Sequence, residues 1–91
     1  MGSRWTIRYR KLTRKFVEKL DPKQRGRIHR FLEDRVANLE NARSIGKALH
    51  GPDFEHRWRY RFGNYRIICE IRDRELIVLV IEIGHRKSIY T

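Results

Sequence analysis

The chain has 91 residues, 22 of them Lys or Arg and 11 Asp or Glu, for a formal net charge of +11. That length allows one small domain. A hydrophobic fraction of 40% excludes general disorder, and the charge calls for a polyanionic partner. A single cysteine, Cys69, excludes an intrachain disulfide and a cysteine metal cluster, while the longest apolar run, residues 76–81, is far too short to span a bilayer.

Met1-Gly2-Ser3 fits a tag remnant and carries no structural weight. Trp5, Ile7 and Tyr9 then alternate with Thr6, Arg8 and Arg10, a period of two that predicts a strand. Leu12, Phe16 and Leu20 are spaced by four, with Val17 beside them, and predict one face of a short helix. Asp21-Pro22 closes it and opens another. Asp21 can cap the backbone, Pro22 suits the first helical position, and Gln24 completes the spacing of a capping box. The second helix carries Ile28, Phe31, Leu32, Val36 and Leu39 on one stripe. Residues 41–56 read as a loop punctuated by Gly46, Gly51 and Pro52, with Leu49 as an anchor.

Three strand patterns follow, at residues 57–62, 65–72 and 76–83, the first two joined by the two-residue hairpin signal Gly63-Asn64. The third is apolar at nearly every position, which predicts a central strand buried on both faces. It needs a second neighbour, and the N-terminal strand is the one available. The expectation is therefore a single α+β domain over residues 1–91, β-α-α-β-β-β, with a helical hairpin packed on one face of a four-stranded, mainly antiparallel sheet.

Side chains alternate along a strand, so Trp58, Tyr60 and Phe62 share one face and Arg57, Arg59 and Arg61 the other. A two-residue turn at Gly63-Asn64 sets Phe62 opposite Tyr65, Arg61 opposite Arg66, Tyr60 opposite Ile67 and Trp58 opposite Cys69. Arg59, Arg61 and Arg66 then gather in one patch, with Arg57 further from the turn. Directly opposed like charges cost a few tenths of a kcal/mol up to about one. A planar guanidinium fork suits phosphate, so the patch is a candidate anion site. The run after the last strand adds His85, Arg86, Lys87 and Tyr90 at one end of the sheet, supplying groups that can move a proton. His29 reads as solvated, His50 and His56 as loop residues, and Cys69 as a small buried hydrophobe. No spacing suggests a metal site, and no apolar stretch suggests a signal peptide.

Three segments, Leu49-His50-Gly51, then Trp58 through Ile67, then Gly84 through Tyr90, resemble in this order the RelE/ParE toxin superfamily, specifically its RelE-like mRNA interferases. The resemblance covers nearly the whole chain. It implies the toxin of a type II toxin–antitoxin system: a cytoplasmic, cofactor- and metal-free endoribonuclease that cuts mRNA in the A site of the 70S ribosome. Its implied partner is a RelB-like antitoxin, in a hetero-oligomer that binds operator DNA through the antitoxin. The site roles it implies fall on Arg59, Arg61, Arg66, Arg86 and Tyr90; joined to the arginine patch and the C-terminal run read above, the candidate catalytic residues are Arg61, Arg66, His85, Arg86 and Tyr90, with Arg57, Arg59 and Lys87 on RNA phosphates. The archetype carries lysines where Arg59 and Arg61 stand and has no histidine where His85 stands. Two other readings use the same fold or face: a ParE-like inhibitor of DNA gyrase, and a non-catalytic module binding RNA or the ribosome.

Overall fold

The computed structural model describes residues 4–52 and 56–85. Its elements are β1 (Thr6–Tyr9), α1 (Lys11–Lys19), α2 (Pro22–Arg30), β2 (Lys47–Ala48), β3 (Arg57–Phe62), β4 (Tyr65–Arg72) and β5 (Ile77–His85). A π-helical turn, Phe31–Val36, continues α2. The helices lie on one face of a sheet ordered β1-β5-β4-β3-β2. The N-terminal strand does flank β5, in parallel, with Ile7 beside Val78. The other pairs are antiparallel. The sheet has five strands rather than four, because two residues of the expected loop, Lys47 and Ala48, pair with Arg59 and Trp58.

Local sequence explains most of the boundaries. The Asp21 carboxylate accepts from the Gln24 amide at 3.0 Å and Pro22 opens α2, as the capping spacing predicts. Ile28, Leu32 and Val36 are fully buried and Phe31 nearly so. Phe31 stacks on Phe62, with ring centroids 4.9 Å apart, and meets Tyr60 edge-on at 6.1 Å. Such aromatic pairs add about 0.5–1.5 kcal/mol each beyond their buried area. They fix the α2 stripe against the aromatic face of β3.

The first helix differs from its periodicity. Phe16, Val17 and Leu20 pack against the core, but Leu12 is 74% exposed. Thr13 is buried instead, its hydroxyl donating to the Ile81 carbonyl. The helix starts directly after β1, whose pairing with β5 stops at Val80, so its first turn lies beside the bulged Ile81, whose backbone carbonyl needs a donor more than a methyl. The last strand also differs. Val78, Val80 and Ile83 are buried, while Ile77, Leu79 and Ile81 are half-buried. Among the described residues the helices cover one face of β5 and nothing comparable covers the other.

The loop before β3 is held by two side-chain donors of that strand. Trp58 Nε1 donates to the Ile45 carbonyl at 2.8 Å, and the Tyr60 hydroxyl to the Ala42 carbonyl at 2.5 Å. Gly46 lies between them at φ +87°, where an added Cβ would come within 2.3 Å of the Arg59 carbonyl oxygen and 2.6 Å of Trp58 Nε1. Gly46→Ala is therefore expected to cost at least about 1–3 kcal/mol from backbone strain alone. Gly26→Ala, whose Cβ meets only the Arg30 guanidinium at 3.5 Å, should be neutral or stabilise α2 by up to about 1 kcal/mol. Thermal unfolding of the two variants checks both signs.

Candidate nucleic-acid interface

The hairpin register follows from the turn. Gly63 has φ +55° and Asn64 does not join it at positive φ, the pattern of a II′ turn with glycine in the first central position. Phe62 faces Tyr65, Arg61 faces Arg66, Tyr60 faces Ile67 and Trp58 faces Cys69, the register the sequence predicts.

The face of the sheet away from the helices is built in rows across the strands. At the turn end, Arg61, Arg66 and Gly84 lie side by side. The next row is Lys47, Arg59, Ile68 and Glu82. The third is Arg57, Glu70, Leu79 and Arg8. Four cations, Lys47, Arg59, Arg61 and Arg66, therefore occupy the two rows nearest the turn. Gly84 contributes no side chain beside Arg66, which leaves the floor of the first row low.

Arg57 is in a different setting. Its Nη1 lies 2.9 Å from Glu70 Oε1, and Arg72 Nε lies 2.7 Å from the other Glu70 oxygen. One carboxylate thus neutralises Arg57 in the third row and Arg72 in the row beyond it, and Arg57 stands apart from the cationic cluster. The Arg72 hydrogen bond, and secondarily the one from Arg57, hold the Glu70 carboxyl below the usual carboxylate range against the opposing effect of partial burial. Its ion pairs therefore stabilise the fold above the ordinary carboxylate pKa, and that contribution is lost as pH falls through the lowered one. The role of Glu70 was readable from the sequence, because the same turn register places residue 70 opposite residue 57.

His85 ends at the same edge of the sheet as the arginines but on the other face. A bulge in β5 opposite Ile68/Cys69 is the cause: Ile68 pairs with Glu82 and Cys69 with Val80, leaving Ile81 as the extra residue. An extra residue exchanges the faces of everything beyond it. Uninterrupted alternation from Val78 and Val80 would put Glu82 toward the helices and His85 among the arginines. The bulge instead sends Glu82 to the open face and pairs His85 with Tyr65 on the helix side. The two rings meet edge-on at 5.7 Å. A cavity of about 170 Å³ opens there, lined by Gln24, Arg27, Phe62, Gly63, Asn64, Tyr65 and His85. The sequence missed Glu82 for the same reason. An acid inside an apolar strand was the available signal for the bulge.

Arg86, Lys87 and Tyr90 lie outside the described residues. Two other tyrosines are poor proton carriers. Burial, with the Glu33 charge adding to it, pushes the Tyr9 phenol up to about 12, and burial also raises Tyr60. The same cause raises the Cys69 thiol, which faces the core. No three His, Cys, Asp or Glu side chains among the described residues converge as a metal site. None of the described helices is long and apolar enough to cross a membrane.

A helical hairpin on a five-stranded sheet with an N-terminal strand is the toxin fold of the RelE/ParE superfamily. A family model described as the ParE toxin of the type II toxin–antitoxin system parDE matches residues 5–90. The chain belongs to that family and is a toxin of the type II toxin–antitoxin class. Among solved structures it is similar to a chain of the RelBE2 toxin–antitoxin complex from Mycobacterium tuberculosis, at 23% identity and a TM-score of 0.80, covering 94% of each chain. The isolated E. coli RelE toxin aligns at 18% identity and TM-score 0.67, over 94% of this chain and 90% of that one. The RelB–RelE complex of Methanococcus jannaschii aligns at 24% identity and TM-score 0.64, over 91% and 94%. These likenesses establish the fold. A search of curated proteins gives no match.

Removing the Glu70 charge should release Arg57 and Arg72 to a polyanion. Glu70→Gln is expected to tighten binding to single-stranded poly(U) and to steepen the log K against log salt slope by about 0.7 for each arginine freed. A salt titration of affinity checks this, and an unchanged slope would mean the two arginines already contact phosphate.

Proposed function

We propose that the chain is a metal-independent endoribonuclease that cleaves mRNA in the A site of the ribosome. The carrying observation is the Arg61–Arg66 pair, like charges set directly opposite each other on an open sheet face with Arg59 and Lys47 in the next row. Such a pairing weakens a hairpin, and a bound phosphate turns the repulsion into shared attraction. In this reading Arg59, Arg61 and Arg66 grip the scissile phosphate and the charge that grows on it as the ribose 2′-oxygen attacks phosphorus. The bond to the 5′-oxygen breaks, leaving a 2′,3′-cyclic phosphate and a free 5′-hydroxyl. Arginine stays protonated and takes up no proton. Proton transfer falls to residues that follow β5 in the sequence: Tyr90 removes the 2′-hydroxyl proton, and Arg86 stabilises the leaving 5′-oxygen, which takes its proton from solvent. Arginines around a phenol lower its pKa. Lys87 adds a phosphate contact beside them. His85 lies on the helix side, paired with Tyr65, away from the arginine rows.

The similar M. tuberculosis and M. jannaschii structures are toxin–antitoxin complexes. By the same logic this chain takes a RelB-like antitoxin whose acidic groups compete for the arginine face, in a hetero-oligomer that reaches operator DNA through the antitoxin. Its place of action is the cytoplasm, where mRNA and ribosomes are.

A second reading is favoured by one observation: the matching family model is that of ParE toxins over residues 5–90. It makes the chain an inhibitor of DNA gyrase, which needs binding surface and no proton transfer. Two purified assays separate the readings. The ribonuclease reading predicts new 5′-hydroxyl ends on ribosome-bound mRNA and no effect on DNA supercoiling by gyrase. The reverse result supports the second. Within the first reading, Arg61→Ala and Arg66→Ala should each lower cleavage by at least about 100-fold, with the fold of each variant checked by circular dichroism. Full cleavage by both variants would overturn the assignment.

A further inference from the structure

The cavity on the helix side of the hairpin is separate from the arginine rows and is built from different chemistry. Its lining includes the aromatic residues Phe62, Tyr65 and His85, the amide residues Gln24 and Asn64, and Arg27. The fittings are held in place: Arg27 sits 5.4 Å over the Phe62 ring, and His85 meets Tyr65 edge-on. Phe62 and Tyr65 are anchored in the core at the base of the turn. The Phe62 ring already stacks on Phe31 and lies under Arg27, so the exposed His85 ring, edge-on to Tyr65, is the surface on which an unpaired base can stack. Carboxamides and a guanidinium offer hydrogen bonds to its edge. A volume of about 170 Å³ suits one heterocycle rather than a drug-sized ligand.

Position links this cavity to the open face. Residues 61 and 66 point to one side of the sheet, and their chain neighbours Phe62 and Tyr65 point to the other, across the short turn at Gly63-Asn64. A single strand held by Arg61 and Arg66 needs only to pass the turn tip to present its next nucleotide to the cavity. We infer that this cavity is a nucleobase subsite, taking one unpaired base of an RNA strand whose neighbouring phosphate lies on the arginine face. His85 is then a wall of a base pocket. The turn residues Gly63 and Asn64 become the ridge over which the strand bends.

The identity of the strand as RNA rests on the ribonuclease reading, but base-dependent binding is measured without cleavage. The probe is a fully 2′-O-methylated tetranucleotide, compared with the same oligomer carrying one abasic position. Wild-type protein should bind the intact probe about tenfold more tightly than its best abasic counterpart. His85→Ala and Arg27→Ala alter exposed side chains, so both are expected to fold, and each should shrink that ratio severalfold. Arg61→Ala should weaken intact and abasic probes equally. Intact and abasic probes binding alike, or a ratio that survives unchanged in both His85→Ala and Arg27→Ala, would overturn the inference. Base-dependent binding without any mRNA cleavage by the wild type would uphold the subsite and count against the ribonuclease reading alone.

Discussion

The pairing of β3 with β4 through a two-residue turn is the constraint on which the rest of the structure depends. Gly63 takes the positive φ that the turn requires, and from there the register has no freedom. It decides at once that Trp58, Tyr60 and Phe62 meet the helices and that Arg59, Arg61 and Arg66 do not. A slip of one residue would bury three guanidinium groups against Phe31 and Leu32, a cost of several kcal/mol for each unpaired charge. The core and the anion face are therefore two consequences of one turn. The aromatic contacts from Phe31 to Tyr60 and Phe62 lock the arrangement. The donors from Trp58 and Tyr60 then pin the preceding loop over it.

The bulge at Ile81 is the second device, and it divides the site. It lets β5 present apolar side chains to the core on both sides of the interruption, Val80 before and Ile83 after, while turning Glu82 outward. It also sends the end of β5 to the helix side, where His85 joins Tyr65. The sheet end then has two chemically distinct flanks: a cationic one with a glycine floor, and an aromatic one with a cavity. A phosphate suits the first and a heterocycle the second.

Much of this was legible in the residues. The Asp21-Pro22-Gln24 cap, the α2 stripe, the Gly63-Asn64 turn with its pairings, and the place of β1 beside the last strand are all local or forced by burial, and all appear in the structure. The features that were not legible depend on tertiary context. Leu12 fits the helical period, but the first turn of α1 meets the Ile81 carbonyl where β1 no longer pairs with β5, so Thr13 takes the buried position. Lys47 and Ala48 form a strand only because β3 offers an edge. The bulge reverses the faces beyond residue 81, and a count of alternating residues does not place it; Glu82 inside the apolar strand is its one local sign. Arg57 illustrates the limit for the site: its strand position was clear, but its neutralisation by Glu70 emerges once the register is carried to the far end of the hairpin.

The central claim is that the two rows nearest the turn form one phosphate-binding surface. Its most direct measurement is a side-chain NMR titration of the folded protein, reading every arginine guanidinium while a 2′-O-methylated oligonucleotide is added. The account predicts saturable shifts at Arg59, Arg61 and Arg66 and much smaller ones at the α1 residue Arg14 on the helix layer. Shifts spread evenly over the arginines of both faces would contradict it, because they would show a diffuse basic surface rather than a site.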